Sequence, residues 1–157
     1  MALEITTVGA VVKYAVETTA GTRPTSGYTT IPNVSSAPEM AMDVDALDAS
    51  DITDEITRYA KGRQDPGSDA EFTLNHTEAV ITAWNNLVSA AATGKASNKS
   101  TWFEYQYPGA TTSYFFKAEP MALLGNAGIE QNVVDTIPAR VIPQGGNIWA
   151  TKSTGSG

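Results

Sequence analysis

Residues 39–74 read EMAMDVDALDASDITDEITRYAKGRQDPGSDAEFTL, and the fold turns on how this stretch is divided. It opens on an alternation: Met40, Met42, Val44 and Ala46 fall on one side, Asp43 and Asp45 on the other. A period of two marks a strand with one face in a core and one in water. The pattern dissolves into a polar segment and resumes at Glu71, with Phe72 and Leu74 sharing a face. The expectation is two strands joined by a long loop over residues 48–70. A loop of about twenty residues is uncommon inside a compact domain and is usually functional. Nine of the chain's 17 acidic residues lie between Asp43 and Glu71.

Next along the chain comes the clearest helical signal. Val80, Ile81, Trp84, Leu87 and Val88 recur at the spacing of one helical stripe, with Glu78, Asn85 and Ser89 opposite. The helix is expected over 76–92. Asn75 and Glu78 have capping-box spacing, Thr77 competes as the cap, and Gly94 supplies a stop. A single helix with one apolar stripe needs a sheet to lie on. Upstream, residues 12–17 alternate as a short strand, and residues 28–34 read as a second one interrupted by Pro32. Downstream, Trp102 to Gln106 and Tyr114 to Phe116 form the arms of a hairpin around Pro108-Gly109. Ile129, Val133 and Ile137 suggest a further strand, limited by Pro138 and Pro143, and Ile148 and Trp149 a last one. About seven or eight strands and one helix give a mainly β fold, an antiparallel sandwich or open barrel with one flanking α-helix. Residues 1–150 form one domain with a flexible tail at 151–157.

Composition narrows the chemistry. The formal net charge of −7 argues against a surface that grips duplex DNA, which needs Lys and Arg for the phosphates. There is no cysteine, so thiol nucleophiles and cysteine metal sites are excluded. The N-terminus lacks the basic start of a signal peptide, and no apolar run is long enough for a spanning helix. Set against a calcium-loop template, Asp43 and Asp45 take the first and third positions. Leu47 and Asp48 then fall where a ligand and the required glycine belong. His76 is the only histidine and stands beside the helix start, where capping or exposure explains it. The expectation is no enzyme, no cofactor and no metal. The aromatic hairpin offers one alternative, a carbohydrate-binding β-sandwich.

Three stretches carry a resemblance. They are VKYAVETTAGTRPTSGYTTIPNV over 12–34, the acidic stretch 39–74, and FFKAEPMALLGNAGIEQNVVDTIPARVIPQGGNIWA over 115–150. In pattern and order the chain resembles the tail tube (major tail) proteins of long-tailed bacteriophages, of the unsheathed, non-contractile kind. The resemblance implies a tail-tube fold of packed sheets with a flanking helix, and a structural virion protein without chemistry. It implies hexameric rings that stack into a tube for DNA ejection, assembled in the bacterial host cytoplasm. Its partners would be other copies, a tape-measure protein, a tail terminator and baseplate or distal tail proteins; DNA passes without specific binding and no membrane is involved. The long loop takes the subunit or ring interface, through Asp51, Ile52, Asp54, Glu55, Ile56, Arg58, Tyr59, Lys61 and Arg63. The polar sides of its flanking strands, Asp43, Asp45 and Glu71, become candidates for an acidic lumen. The alternative within the same class is a single-ring tail terminator or baseplate hub component.

Overall fold

The computed structural model describes residues 4–154. In chain order the elements are β1 (Val11–Val16), β2 (Thr29–Thr30), β3 (Val34–Ser36), β4 (Asp43–Asp48), β5 (Tyr59–Asp65) and β6 (Ala70–Asn75). They continue with α1 (Glu78–Lys95), β7 (Thr101–Gln106), β8 (Thr112–Pro120) and β9 (Thr136–Thr151). Seven strands form one antiparallel sheet in the order β2-β1-β7-β8-β9-β6-β3, and β4 pairs with β5 alone. The fold is mainly β, a curled half-barrel with a single helix, as expected. The second sheet implied by the resemblance is only the β4–β5 pair.

Two features curl the sheet. β9 pairs with β6 through residues 136–141 and with β8 through residues 141–151, so it hands over from one neighbour to the other at Val141. Near the handover Gly145 and Gly146 both have positive φ, and the β8–β9 register slips around Lys117. A Cβ on Gly146 would lie 2.9 Å from the Trp102 ring, so this bend is open to glycine alone. Pro138 and Pro143 are tolerated because β9 has a strand on one side only at each of them. The segment read as one strand over 28–34 is split. β2 extends β1 at one end of the sheet, and β3 extends β6 at the other. Only residues 31–33 separate them, a span of roughly 13 Å at most, which measures how far the sheet has curled.

α1 fills the hollow. Val80, Trp84, Leu87 and Ala91 are buried, with Ile81 and Val88 packed beside them, as the stripe predicts. They meet Phe72, Leu74, Phe103, Phe116 and Val141 from the sheet. Phe103 stacks on Phe116 at 5.4 Å and on Phe72 at 5.9 Å, and Trp84 tilts against Phe72 at 6.1 Å. Each such side chain contributes roughly 1.5–3 kcal/mol on burial. The Trp84 indole N–H also donates to the Met121 carbonyl at 2.8 Å. Thr77 caps the helix, accepting the Val80 N–H at 3.1 Å, while Asn75 ends β6, so the Asn75 capping box is not formed. Gly94 is inside the helix rather than its stop. A Cβ there would come within 2.5 Å of Val16 Cγ1, so the glycine lets α1 lie close on β1.

The other face of the sheet is covered too. Ala15, Trp102 and Phe115 pack under Tyr28, so the aromatic hairpin has both faces buried within one chain. Two carboxylates are enclosed there. Glu17 accepts from the Gly21 and Ser100 N–H groups and the Trp102 indole at 2.8–3.0 Å. Burial raises its pKa, but these donors and nearby Lys117 outweigh it and hold the carboxyl below its ordinary value. Glu104, fully buried, accepts from the Ser153 N–H at 3.0 Å and the Ser153 hydroxyl at 2.6 Å. Within the stretch expected as a tail, 151–157, Thr151 closes β9 and Ser153 is anchored. Residues 155–157 lie outside the described residues. Ile129 and Val133 belong to no strand and are exposed, because the segment 121–135 runs over the surface before β9.

Two outcomes test this packing. Gly94→Ala gains about 1 kcal/mol of helix propensity but forces overpacking against Val16 that costs about 1–3 kcal/mol. Urea melts should show net destabilisation, relieved when Val16→Ala is added; a simple gain in stability would contradict the close approach. For Glu17 the folded pKa is depressed, so its stabilisation is present above the unfolded value of about 4.3 and fades as pH falls through the folded value. Glu17→Gln should flatten that acid loss in melts across pH 7 to 3, and an unchanged slope would remove Glu17 from the account.

Candidate assembly surfaces

The expected loop over 48–70 is for the most part a hairpin arm. β5 lies inside it and pairs with β4 in the register Asp43↔Asp65, Val44↔Gln64, Ala46↔Lys61 and Asp48↔Tyr59. The sequence YAKGRQD hides this strand because it has no apolar alternation, and it needs none, since neither face of the arm meets a core. The first strand is also displaced. β4 starts at Asp43, all six of its residues are exposed, and Val44 and Ala46 do not face a core. Met40 is buried, but ahead of the strand. Gly62 permits the pairing, because a Cβ there would press on Asp45 and Leu47 at 3.0 Å.

The tip, residues 49–58, is built by its own acidic side chains. Asp48 accepts the Ser50 N–H at 2.9 Å, and Asp51 accepts the N–H and hydroxyl of Thr53 at 2.8 and 2.6 Å. Asp54 accepts the Asp51 N–H and the Arg58 Nε–H, both at 2.8 Å. Hydrogen bonds from Ser50 and Thr53 hold the Asp48 and Asp51 carboxyls below their ordinary pKa. Asp51, Asp54 and Arg58 are thus brought together, Glu55 points to water, and Ile52, Ile56 and Tyr59 stand fully or largely exposed. Lys61 and Arg63, on β5, have no carboxylate within ion-pair distance among the described residues.

The three acidic lumen candidates lie on two different sheets. Asp43 and Asp45 are on the arm. Glu71 is on β6, opposite Arg140 of β9, which it meets at 3.0 Å while Arg140 also holds Asp69 at 2.7 Å. Val80, Ile81, Trp84, Leu87 and Val88 are united in the core described above. The His76 ring Nδ1 meets the Asp135 carboxylate at 2.5 Å and the His76 backbone N–H donates to the Asp135 carbonyl at 2.9 Å, fastening the end of β6 to the start of β9.

Two further surfaces have no counterpart in the sequence reading. One is the edge of β9. Past Val141 it has β8 on one side and, among the described residues, no strand on the other, leaving residues 142–151 with an open edge that carries exposed Ile142 and Ile148. The other is a groove of about 800 Å³ on the helix-side face. A strap, residues 35–42, forms one wall; Tyr105, Tyr107, Tyr114 and Trp149 form the other. The strap is pinned by the Tyr105 hydroxyl on the Pro38 carbonyl at 2.8 Å, and by Tyr114 and Asn147 on the Met40 carbonyl. Burial, with Tyr107 and Tyr114 nearby, pushes the Tyr105 phenol well up, so it stays a neutral donor. Trp149 is 62% exposed and lies 4.9 Å from Tyr114. Of the aromatics offered as a sugar platform, Trp102, Phe103, Phe115 and Phe116 are buried and serve packing. What could have hinted at the groove is the run of Tyr105, Tyr107 and Tyr114 in the hairpin, whose hydroxyls want partners at a half-wet wall.

No family model matches the chain, and no curated protein does either. Among solved structures the chain is similar to one in the cryo-EM structure of the anti-feeding prophage (AFP) baseplate, 6-fold symmetrised, with a TM-score of 0.55. The similarity covers 90% of this chain and 92% of the other at 7% identity, so the likeness is one of fold.

The separation of arm from body has a measurable consequence. Asp54→Ala, which removes exposed contacts of the tip, should change global stability by less than about 1 kcal/mol. Amide exchange across residues 49–58 should nonetheless rise several-fold. A stability loss as large as that of a core truncation would mean that the arm packs on the body.

Proposed function

We propose that this protein is a structural subunit of a phage tail or a related injection machine, closing into six-membered rings that stack into a tube. The observation that carries the reading is the open β9 edge on a curled sheet, in a fold shared with a chain of a six-fold baseplate. An unpaired edge of this length invites another strand. Pairing with the opposite end of a neighbour's sheet is a head-to-tail contact, which closes into a ring when the rotation allows. Continuing the sheet from copy to copy builds a wall around a lumen and removes the edge.

The arm supplies the second contact, between rings. It carries both signs of charge and exposed apolar side chains, and an isolated two-stranded ribbon is marginally stable in water. Docking on a neighbour would stabilise it. Stacking is heterologous and open-ended, so a tape-measure protein and a terminator would set the length, with baseplate or distal tail proteins as the starting platform. Six formal charges of −7 per ring suit a conduit past which DNA slides, because like charges repel within a screening length of about 8 Å. Asp43 and Asp45 are the better lumen candidates; the charge of Glu71 is offset by Arg140. The role needs no catalytic step, cofactor or metal, and its place is the virion tail.

A second reading is a single ring of a baseplate hub or terminator. It is favoured by the baseplate origin of the structural neighbour. Negative-stain microscopy of concentrated protein separates the two. Hollow tubes support the first and isolated rings the second, while monomers at every concentration would sink both. Replacing residues 43–65 with a short Gly-Ser linker should preserve the melt of the body and abolish tubes. Tubes forming at an unchanged threshold would deny the arm its stacking role.

A further inference from the structure

The face of the sheet away from α1 holds a buried carboxylate that leans on one residue and a buried guanidinium nitrogen with no partner. Glu104 is fully buried and accepts the Ser153 N–H at 3.0 Å and the Ser153 hydroxyl at 2.6 Å, while Gln106 Nε2 comes only to 3.5 Å. Ser153 belongs to a short run, residues 152–154, that follows β9 across this face. The Lys152 N–H donates to the Thr111 carbonyl at 3.0 Å, the Thr154 N–H donates to the Thr25 carbonyl at 3.1 Å, and Thr154 bridges Ser26. Arg23, in the loop between β1 and β2, lays its guanidinium over the Phe115 ring at 4.3 Å. Phe115 stands directly opposite Glu104 in the β7–β8 register. Yet Arg23 Nη1 is buried without a hydrogen-bond partner, and among the described residues no carboxylate lies within ion-pair distance of Arg23. Burial pushes the Tyr28 phenol up, Arg23 draws it down and Glu104 raises it, so both charges act on one ring. Lys117, on the same face, is engaged elsewhere: it stands over Trp102 at 5.8 Å and acts on Glu17.

We infer that Glu104 is a two-position latch: Ser153 holds it while residues 152–154 lie down, and Arg23 takes it when they lift. A buried carboxylate stripped of its donors is costly, so lifting this run by itself would strand Glu104. A buried donor with no partner is costly too, and in the closed form Arg23 Nη1 is one. Turning the guanidinium from the Phe115 ring to Glu104 satisfies both groups in one move, with a charge-assisted bond. Without that reserve partner the run would come free only when the body unfolds; with it, the opening is local. What the latch releases is the end of β9. The open edge of residues 142–151 then loses its tie to the β1–β2 loop, and the chain from residue 152 onward leaves the face it covered.

Amide exchange of the full chain, followed residue by residue by NMR, tests the latch. The Ser153 and Thr154 amides should exchange faster than those of the β7–β8 ladder. Equal rates would mean that the run opens only with the body, and would overturn the latch. Arg23→Met keeps a long side chain on Phe115 and removes the reserve partner, so it should slow exchange at Ser153 and Thr154 by about tenfold or more. Were Arg23 only a support for its loop, the same change would loosen the loop; faster or unchanged exchange therefore overturns the proposal. Glu104→Gln separates the carboxylate from the unpaired nitrogen. In that background the slowing caused by Arg23→Met should largely vanish. Slowing that persists in full would assign it to the unpaired nitrogen alone and remove the handover. Urea melts give a second measure through Ser153→Pro, which takes away both donors to Glu104. Its loss in the folding constant should be about tenfold greater in the Arg23→Met background than alone, and additive losses would overturn the latch.

Discussion

The body depends on one strand that serves two neighbours in succession. β9 runs sixteen residues, pairing first with β6 and then with β8. Had it kept both neighbours along its length, the sheet would be flatter and its edges would be β2 and β3 alone. By changing partners at Val141 and bending at Gly145-Gly146, it swings the β8–β7–β1 side over the helix. The same handover leaves the second half of β9 with an open edge. Curvature and an open strand edge are thus two consequences of one backbone arrangement.

Around that bend the packing is local and dense. Trp84 on Phe72, and Phe72 on the Phe103–Phe116 stack, tie the helix to strands on both sides of β9. On the far face the enclosed carboxylates act as anchors for chain rather than as reactive groups. Glu17 gathers three N–H donors from two loops and a tryptophan, and Glu104 holds the backbone and hydroxyl of Ser153. A buried carboxylate is costly unless its oxygens are satisfied, and here they are.

The arm obeys different physics. Its ladder begins with Asp43 opposite Asp65, a like-charge pair that weakens a ribbon. Its tip is held by short-range hydrogen bonds from aspartates to nearby backbone, a turn chemistry that this residue type favours. An element with so little internal support, and with Ile52, Ile56 and Tyr59 in water, is suited to a partner.

The helix and its stripe, the β6 face of Phe72 and Leu74, the hairpin of β7 and β8, and the fold class were legible in the sequence. All are amphipathic elements whose period is set by burial against one core, so local order along the chain records them. β5 was not legible, because a strand paired only through its backbone leaves no apolar rhythm. The roles of Gly94 and Gly146 were hidden as well, since each is decided by one distant side chain, Val16 or Trp102. The same holds for Glu104, whose partner Ser153 is 49 residues away. Sequence records how a segment meets a core; which segments cross, which edge stays open and where a groove forms depend on contacts between distant residues, and those exist only once the sheet has curled.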